Sequence, residues 1–339
     1  MIIKVNTDKS YNIHIEKGLL DKSGSIIRSV SKAKKAMVIS DSNVHPIYFD
    51  RLKSSLEKEN FEVFSHVFPA GEQSKILSTV ADMISSLAEN CFIRNDIVIA
   101  LGGGVTGDMS GLCASLYMRG IDYIQIPTSL LAQIDSSVGG KTAVDIPQGK
   151  NLCGAFYQPS AVIIDPDVLK TLPDKFFSDG MAEAIKYGLI RSKKLFDRIL
   201  DENAEDFICE LIEECVDIKR IVVENDEKEL GERKILNFGH TFGHAIEKYH
   251  NYETLSHGEA VGLGMIIASE IGEERGITEK GTAEIIRKAL KKYSLPTEDI
   301  SMNEDLKFHA ANDKKRTDKG IQLVVIDKIG NALTETISV

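Results

Sequence analysis

Apolar and polar positions along the first half of the chain fall into two rhythms that take turns. Residues 11–15 alternate in steps of two, as a strand does, and 36–40 form an apolar run that ends at Asp41-Ser42-Asn43. Residues 47–59 then carry helical spacing, followed by a strand over 61–67 and an amphipathic helix over 76–89. A buried strand over 96–101 delivers the chain into Gly102-Gly103-Gly104, and further strands are expected at 123–126 and 161–164. Strands alternating with helices in this way predict a mostly parallel sheet with helices packed on it.

After Asp165-Pro166 the helical rhythm takes over, with helices expected over 179–190, 205–224, 241–249, 257–274 and 278–293. Only 321–326 and 332–337 read as strands, paired as a hairpin through a turn at 328–331. A chain of 339 residues is long enough for two domains. The pattern predicts an α/β domain over 1–165 and a mainly α-helical domain over 166–339, with the active site in the cleft between them. Neither internal repeats nor low-complexity segments interrupt it.

Composition narrows the class without naming a chemistry. Hydrophobic residues make up 42% and charged residues 27%, ordinary values for a globular protein. No apolar run approaches the roughly 18 residues of a membrane span. The apolar stretch at Met1-Ile2-Ile3-Lys4-Val5-Asn6 is too short for a signal peptide, so a cytoplasmic location away from membranes is expected. The five cysteines (Cys91, Cys113, Cys153, Cys209, Cys215) are scattered and form no CxxC pair, which fits reduced core residues in a reducing compartment. A net charge of −10 argues against a nucleic-acid partner. Several lysines nevertheless sit inside glycine-rich segments, where a solvated surface face does not explain them.

The first chemical signal is the strand that runs into Gly102, Gly104 and Gly107 at GxGxxG spacing and then into a helix. Glycines let a pyrophosphate approach the backbone, and a helix N-terminus favours its charge. The same spacing also suits a tight strand–helix turn with no ligand. Its place near residue 100, rather than at the first strand–helix turn, departs from the usual dinucleotide fingerprint. Asp41, at the end of an earlier strand, could bond a ribose hydroxyl or simply cap the next helix. Glu72 and Lys75 in Gly71-Glu72-Gln73-Ser74-Lys75 could serve a nucleotide or form a surface pair.

The second signal lies in Asn237-Phe238-Gly239-His240-Thr241-Phe242-Gly243-His244, followed by His257. Four of the eight histidines fall between 240 and 257, His240, His244 and His257 among them. Upstream, Glu183 and Lys186 stand one helical turn apart in an otherwise apolar helix, and buried charges demand a partner or a metal. The cluster points to a divalent metal, and spacing alone nominates His240 and His244, four apart on one helix face, as its histidine pair. Cations in distinctive settings add to this: Arg119, Lys141, Lys150, Lys186, Lys219, Arg233 and the Lys314-Lys315-Arg316 run. Together they suggest a small phosphorylated or carboxylated substrate.

Six segments, in order, resemble the 3-dehydroquinate synthase family. They are Gly103–Asp108, Gln133–Thr142, Gly149-Lys150-Asn151, Gly154–Pro159, Gly180–Gly188 and Asn237–Glu247, and the likeness runs over nearly the whole chain. The resemblance implies a Rossmann-like NAD-binding α/β domain followed by a mainly helical metal-binding domain. It implies a carbon–oxygen lyase that converts 3-deoxy-D-arabino-heptulosonate 7-phosphate to 3-dehydroquinate and phosphate, in the shikimate route to aromatic amino acids. The implied course is transient oxidation by NAD+, phosphate elimination, re-reduction and intramolecular aldol closure.

Carried over by motif, the ligands of a zinc or cobalt ion are Glu183, His240 and His257, which frees His244 to face substrate and relay a proton. NAD+ is expected at Asp41, Asn43, Gly71, Glu72, Gln73, Ser74, Lys75, Gly104, Val105, Thr106, Gly107, Asp108, Thr128, Ser129, Lys141, Lys150, Val168, Leu169, Lys170 and Thr171. Substrate is expected at Arg119, Asp135, Lys141, Asn151, Lys186, Lys219, Arg233, Asn237, His244 and Lys314 or Lys315. The family also implies a homodimer. Ser129 and Asp145 stand where its members often carry Thr and Asn, both chemically close. The rival readings are another sugar-phosphate cyclase, forming a deoxy-inosose or a valiolone, and a metal-dependent polyol dehydrogenase.

Overall fold

The computed structural model describes residues 1–251, 253–302, 316–317 and 320–337. The chain divides into two compact units, Met1–Leu172 with Lys219–Glu224, and Pro173–Ile218 with Asn225–Val339.

The first unit runs β1 (Ile2–Val5), β2 (Tyr11–Ile15), α1 (Ser23–Val30), β3 (Lys35–Asp41), α2 (His45–Lys58), β4 (Glu62–Phe68), α3 (Leu77–Glu89), β5 (Ile97–Gly102), α4 (Gly104–Leu116), β6 (Asp122–Pro127), β7 (Lys141–Ile146), β8 (Gly149–Phe156) and β9 (Ala161–Ile164). Seven strands form one sheet in the order β1-β2-β9-β6-β5-β3-β4, parallel except for β1 against β2. Strand β5 is buried throughout, and its alternate residues feed opposite faces. Ile97, Ile99 and Leu101 pack with Ile27 of α1 and Leu52 and Leu56 of α2. Val98 packs with Val80 and Met83 of α3 and Met109 and Leu112 of α4. Helices therefore cover both faces, as the alternating pattern predicted.

After β4 the chain returns to the other side of β3 to lay down β5, so the winding reverses between β3 and β5. Such a switch point opens a crevice at the carboxyl ends of its strands. Asp41 ends one of them and Gly102 the other.

The second unit holds α5 (Asp174–Arg191), α6 (Lys193–Asp201), α7 (Ile208–Asn225), α8 (His240–Tyr249), α9 (His257–Glu274) and α10 (Thr282–Lys292), with β10 (Arg316–Thr317), β11 (Gly320–Lys328) and β12 (Asn331–Ile337). Residues 219–224 of α7 group with the first unit. The expected C-terminal hairpin is β11–β12, antiparallel and closed at Lys328 and Asn331. Helix α5 is buried continuously from Asp179 to Ile190. Helices α8 and α9 approach through glycine, since a Cβ on Gly264 would lie 2.0 Å from the Gly239 carbonyl oxygen. A capping box of Ser256 and Glu259 starts α9.

The pattern missed β1, α1, the short α6, the β7–β8 hairpin and the two-residue β10. The hairpin carries Gly149, Lys150, Asn151 and Gly154 in a strand whose residues are at most half-buried, so it has no apolar run to announce it.

Candidate active site

In the first unit, the carboxyl edge of the sheet collects most of the residues expected to hold a nucleotide. Helix α4 begins at Gly104 with no side-chain cap and no acidic residue in its first turn, which leaves its leading amide N–H groups to an anion. Two of the glycines also have packing reasons. A Cβ would stand 2.4 Å from Thr106 Oγ1 at Gly102 and 2.7 Å from Gln125 Oε1 at Gly107. Gly103 meets nothing closer than Ser129 Oγ at 3.5 Å, so the turn is bare on that side. Asp41 closes the turn that leads into α2 and also reaches α4. Its Oδ1 accepts from the amides of Asn43 and Val44 at 2.8 and 3.0 Å, while Oδ2 accepts from Thr106 Oγ1 at 3.4 Å. Thr128, at the end of β6, donates its amide to the Gly102 carbonyl at 3.0 Å.

Lys75 is no surface residue. It is 5% exposed, donates to Asp108 at 2.6 Å and to Asn151 Oδ1 at 2.6 Å. Burial opposes its charge, but the carboxylates of Asp108, Glu72 and Asp145 outweigh that and hold the ammonium protonated. Asn151 adopts a left-handed backbone (φ 54°) and its amide donates to Asp145 Oδ1 at 2.7 Å. Thus the segment around residue 75, helix α4 and the β7–β8 hairpin meet at one ion pair. Glu72 and Gln73 beside it remain exposed, whereas Ser74 is buried. Lys219 pairs with the Asp135 carboxylate and donates to the Asp135 carbonyl at 2.7 Å. Val168 and Leu169 are buried, and the Val168 carbonyl and Thr171 hydroxyl are bonded by Tyr48. Lys170 points to solvent, paired with Asp167 at 2.7 Å.

Arg119 does not join this group. It follows α4 and precedes β6, at the amino edge of the sheet, exposed and in a left-handed conformation (φ 66°). The six residues of β6 separate that edge from Thr128, roughly 20 Å at about 3.3 Å per residue.

In the second unit, Glu183 from α5, His240 from the first position of α8 and His257 from the first position of α9 converge, with one ligand atom from each lying within 4.8 Å of the others. Glu183 is fully buried and paired with Lys186, itself 1% exposed. The Nε2 atoms of His240 and His257 each lie 3.6 Å from Glu183 Oε1. The opposite nitrogens face acceptors: His240 Nδ1 is 3.2 Å from the Phe238 carbonyl, and His257 Nδ1 is 3.6 Å from Glu247 Oε1. Acceptors on Nδ1 leave Nε2 as the lone-pair nitrogen, the arrangement that metal-binding imidazoles use. Burial, with Lys186 adding to it, holds His240 well below the usual histidine range and therefore neutral. Burial also opposes charge on His257, but Glu183 and Glu247 outweigh it and push the imidazole up to about 10, so a cation arriving there displaces a proton. One carboxylate and two imidazoles around an open centre form a donor set that suits a catalytic divalent metal.

His244 sits one turn beyond His240, exposed, its ring centroid 5.6 Å from that of His240 and edge-on to it. Spacing alone paired these two histidines; the convergent set contains His257 in place of His244. Arg233 is 1% exposed, and its guanidinium donates to the Glu227 carbonyl at 2.5 Å. Asn237 donates to Glu229 Oε1 at 2.7 Å, and Glu229 adopts a left-handed backbone (φ 60°). Neither Glu229 nor Glu247 was singled out from the sequence. Lys314 and Lys315 lie outside the described residues. No helix among the described residues is long and apolar enough to cross a membrane.

The architecture is the one shared by sugar-phosphate cyclases. Over 100% of this chain and 97% of its own, a 2-deoxy-scyllo-inosose synthase solved with carbaglucose-6-phosphate, NAD+ and Co2+ superposes with a TM-score of 0.88 at 25% identity. A 2-epi-5-epi-valiolone synthase from Streptomyces hygroscopicus subsp. jinggangensis 5008, with NAD+ and Zn2+ bound, gives 0.88 at 26% identity, covering 99% and 95%. Sequence is more specific: residues 65–179 match the 3-dehydroquinate synthase N-terminal family and residues 180–316 the 3-dehydroquinate synthase C-terminal family. The 3-dehydroquinate synthase of Clostridium perfringens (strain 13 / Type A) is 50% identical over 335 residues, 97% of this chain and 96% of the relative. The chain belongs to the 3-dehydroquinate synthase family.

Proposed function

We propose that this protein converts 3-deoxy-D-arabino-heptulosonate 7-phosphate into 3-dehydroquinate and phosphate, using NAD+ that is regenerated in each turnover and one divalent metal ion. The observation that carries the chemistry is the convergence of Glu183 with the Nε2 atoms of His240 and His257. The choice among cyclases rests on identity, 50% to a 3-dehydroquinate synthase against 25% and 26% to cyclases of other products.

Glu183, His240 and His257 hold zinc or cobalt, which supplies Lewis acidity toward substrate hydroxyls when bound. Lys186 pairs with Glu183 and fixes its orientation. The bare N-terminus of α4 receives the dinucleotide pyrophosphate, with Asp41 toward a ribose and the Lys75–Asp108 pair bracing the helix. Thr128, Ser129, Lys150 and the Val168–Thr171 turn complete the NAD+ contacts. His244 accepts the proton of the hydroxyl being oxidised and returns it on re-reduction, a role open to an exposed imidazole one helical turn from His240. Lys141, Asn151 and Lys314 take the phosphate, and Lys219, Arg233 and Asn237 the carboxylate and hydroxyls, with Asp135 orienting Lys219. Cytoplasmic location and a homodimer complete the proposal. The dimer has a specific part: Arg119, at the amino edge of the sheet, reaches a phosphate only in the site of a second copy.

The test is phosphate release from the heptulosonate phosphate, with and without chelator, while NADH is followed. Chelator-sensitive phosphate release without net NADH is the expected result. Stoichiometric NADH would favour a polyol dehydrogenase, and turnover of a hexose 6-phosphate instead would favour another cyclase.

A further inference from the structure

We infer that Glu247 is a positioning residue for the metal centre, fixing His257 so that its Nε2, and not its Nδ1, is presented to the ion. The inference rests on the metal reading above and deepens it. Glu247 is 3% exposed, and a carboxylate that deep needs a reason to be there. Its Oε1 lies 3.6 Å from His257 Nδ1, at ion-pair range, while His257 Nε2 faces Glu183. Seven residues separate Glu247 from His240 on α8, two helical turns on the same face. One helix thus contributes a ligand directly and reaches across to orient the ligand that opens its neighbour, α9.

The two histidines need this support unequally. His240 has its Nδ1 acceptor in its own chain turn, the Phe238 carbonyl two residues away. His257 stands at the first position of α9 with a side chain 37% exposed, and Glu247 is the acceptor that faces its Nδ1 from another helix. Without it the ring can flip or swing out, since Ser256 and Glu259 restrain the backbone of the helix start and not the imidazole. Partners of this kind, behind metal-ligating histidines, change affinity about 10- to 100-fold when removed.

The experiment is zinc and cobalt affinity by chelator competition on folded apoprotein, for the parent, Glu247→Gln, Glu247→Ala and His240→Ala, with the visible spectrum of the cobalt form. Glu247→Ala is expected to bind about 10- to 100-fold more weakly. Glu247→Gln, which keeps an acceptor at the same place, is expected to lose less and to keep the parent's cobalt spectrum. If Glu247→Ala does not fold, a weakening in Glu247→Gln still carries the inference. Parent-like affinity in every folded Glu247 variant overturns it, as does complete loss equal to that of His240→Ala, which would make Glu247 itself a ligand. A parent that binds no metal, or His240→Ala binding as well as the parent, overturns the metal reading instead.

Discussion

The metal cluster depends on how closely α8 and α9 approach, and Gly264→Ala tests that dependence. The added Cβ would stand 2.0 Å from the Gly239 carbonyl oxygen, whereas ordinary contact begins at 3.4 Å, so the two backbones must part by about 1.4 Å. Neither neighbour is a flexible side chain: the next atom met is the Gly243 amide nitrogen at 2.8 Å. Overpacking of this kind costs about 1–3 kcal/mol, and the better helix propensity of alanine returns about 1 kcal/mol. The larger effect falls on the site, because Gly239 directly precedes His240 and the displacement is transmitted to a ligand. Metal–ligand distances tolerate about 0.2 Å, far less than the shift required. Metal affinity should fall on the order of tenfold or more. Gly262→Ala is the control on the same helix, since the atoms its Cβ meets first are the Leu290 methyl groups, at 3.0 and 3.4 Å, which can turn aside. Chelator competition and thermal unfolding on both variants make the comparison. Parent-like affinity in Gly264→Ala, or equal loss in the two variants, would refute the coupling between helix spacing and ligand geometry.

Other residues make separate predictions. His240→Ala should abolish metal binding, while His244→Gln should retain metal and lose turnover; metal analysis beside a phosphate-release assay separates them, and equal metal loss would refute the division of roles. Lys75→Met leaves the Asp108 carboxylate without its cation at a site where the two side chains are 6% and 19% exposed, and should cost about 3–5 kcal/mol in urea unfolding. Adding Asp108→Asn should recover part of that loss, and a Lys75→Met protein as stable as the parent would discount the pair. Arg119→Ala and His244→Gln, each inactive alone, should regain about a quarter of parent activity after mixed refolding, because a hybrid dimer carries one intact site. No recovery in verified hybrids would argue that Arg119 acts within its own subunit or not at all.

How much of this was legible in the chain follows from the distance over which each feature is encoded. The parallel sheet was readable because β3, β5, β6 and β9 are short apolar runs set between helical stretches, and burial on both faces demands that. The glycine turn was readable for the same reason, its chemistry being packed into six consecutive positions. Hairpin β7–β8 was not, since β8 is nowhere fully buried and opens on glycine, lysine and asparagine, so it resembles a loop. For Lys75 local spacing left two readings open, because a lysine three residues from a glutamate also looks like a surface pair, and only the fold brings Asp108 and Asn151 to it. The histidines make the limit plainest. Periodicity sees neighbours at four positions on one helix and therefore joins His240 to His244. It is blind to α5 and α9 meeting beside α8, which brings Glu183 and His257 to the same point. Motif order supplied that pairing, but a motif carries a residue's identity and not the reason it is held. The reason lies in the glycines that let α8 and α9 touch, in the capped start of α9, and in the buried carboxylate of Glu247 behind His257. Ligand identity is therefore written locally, whereas ligand geometry is a property of helix packing, and substitutions remote from the metal in sequence should be the ones that separate the two.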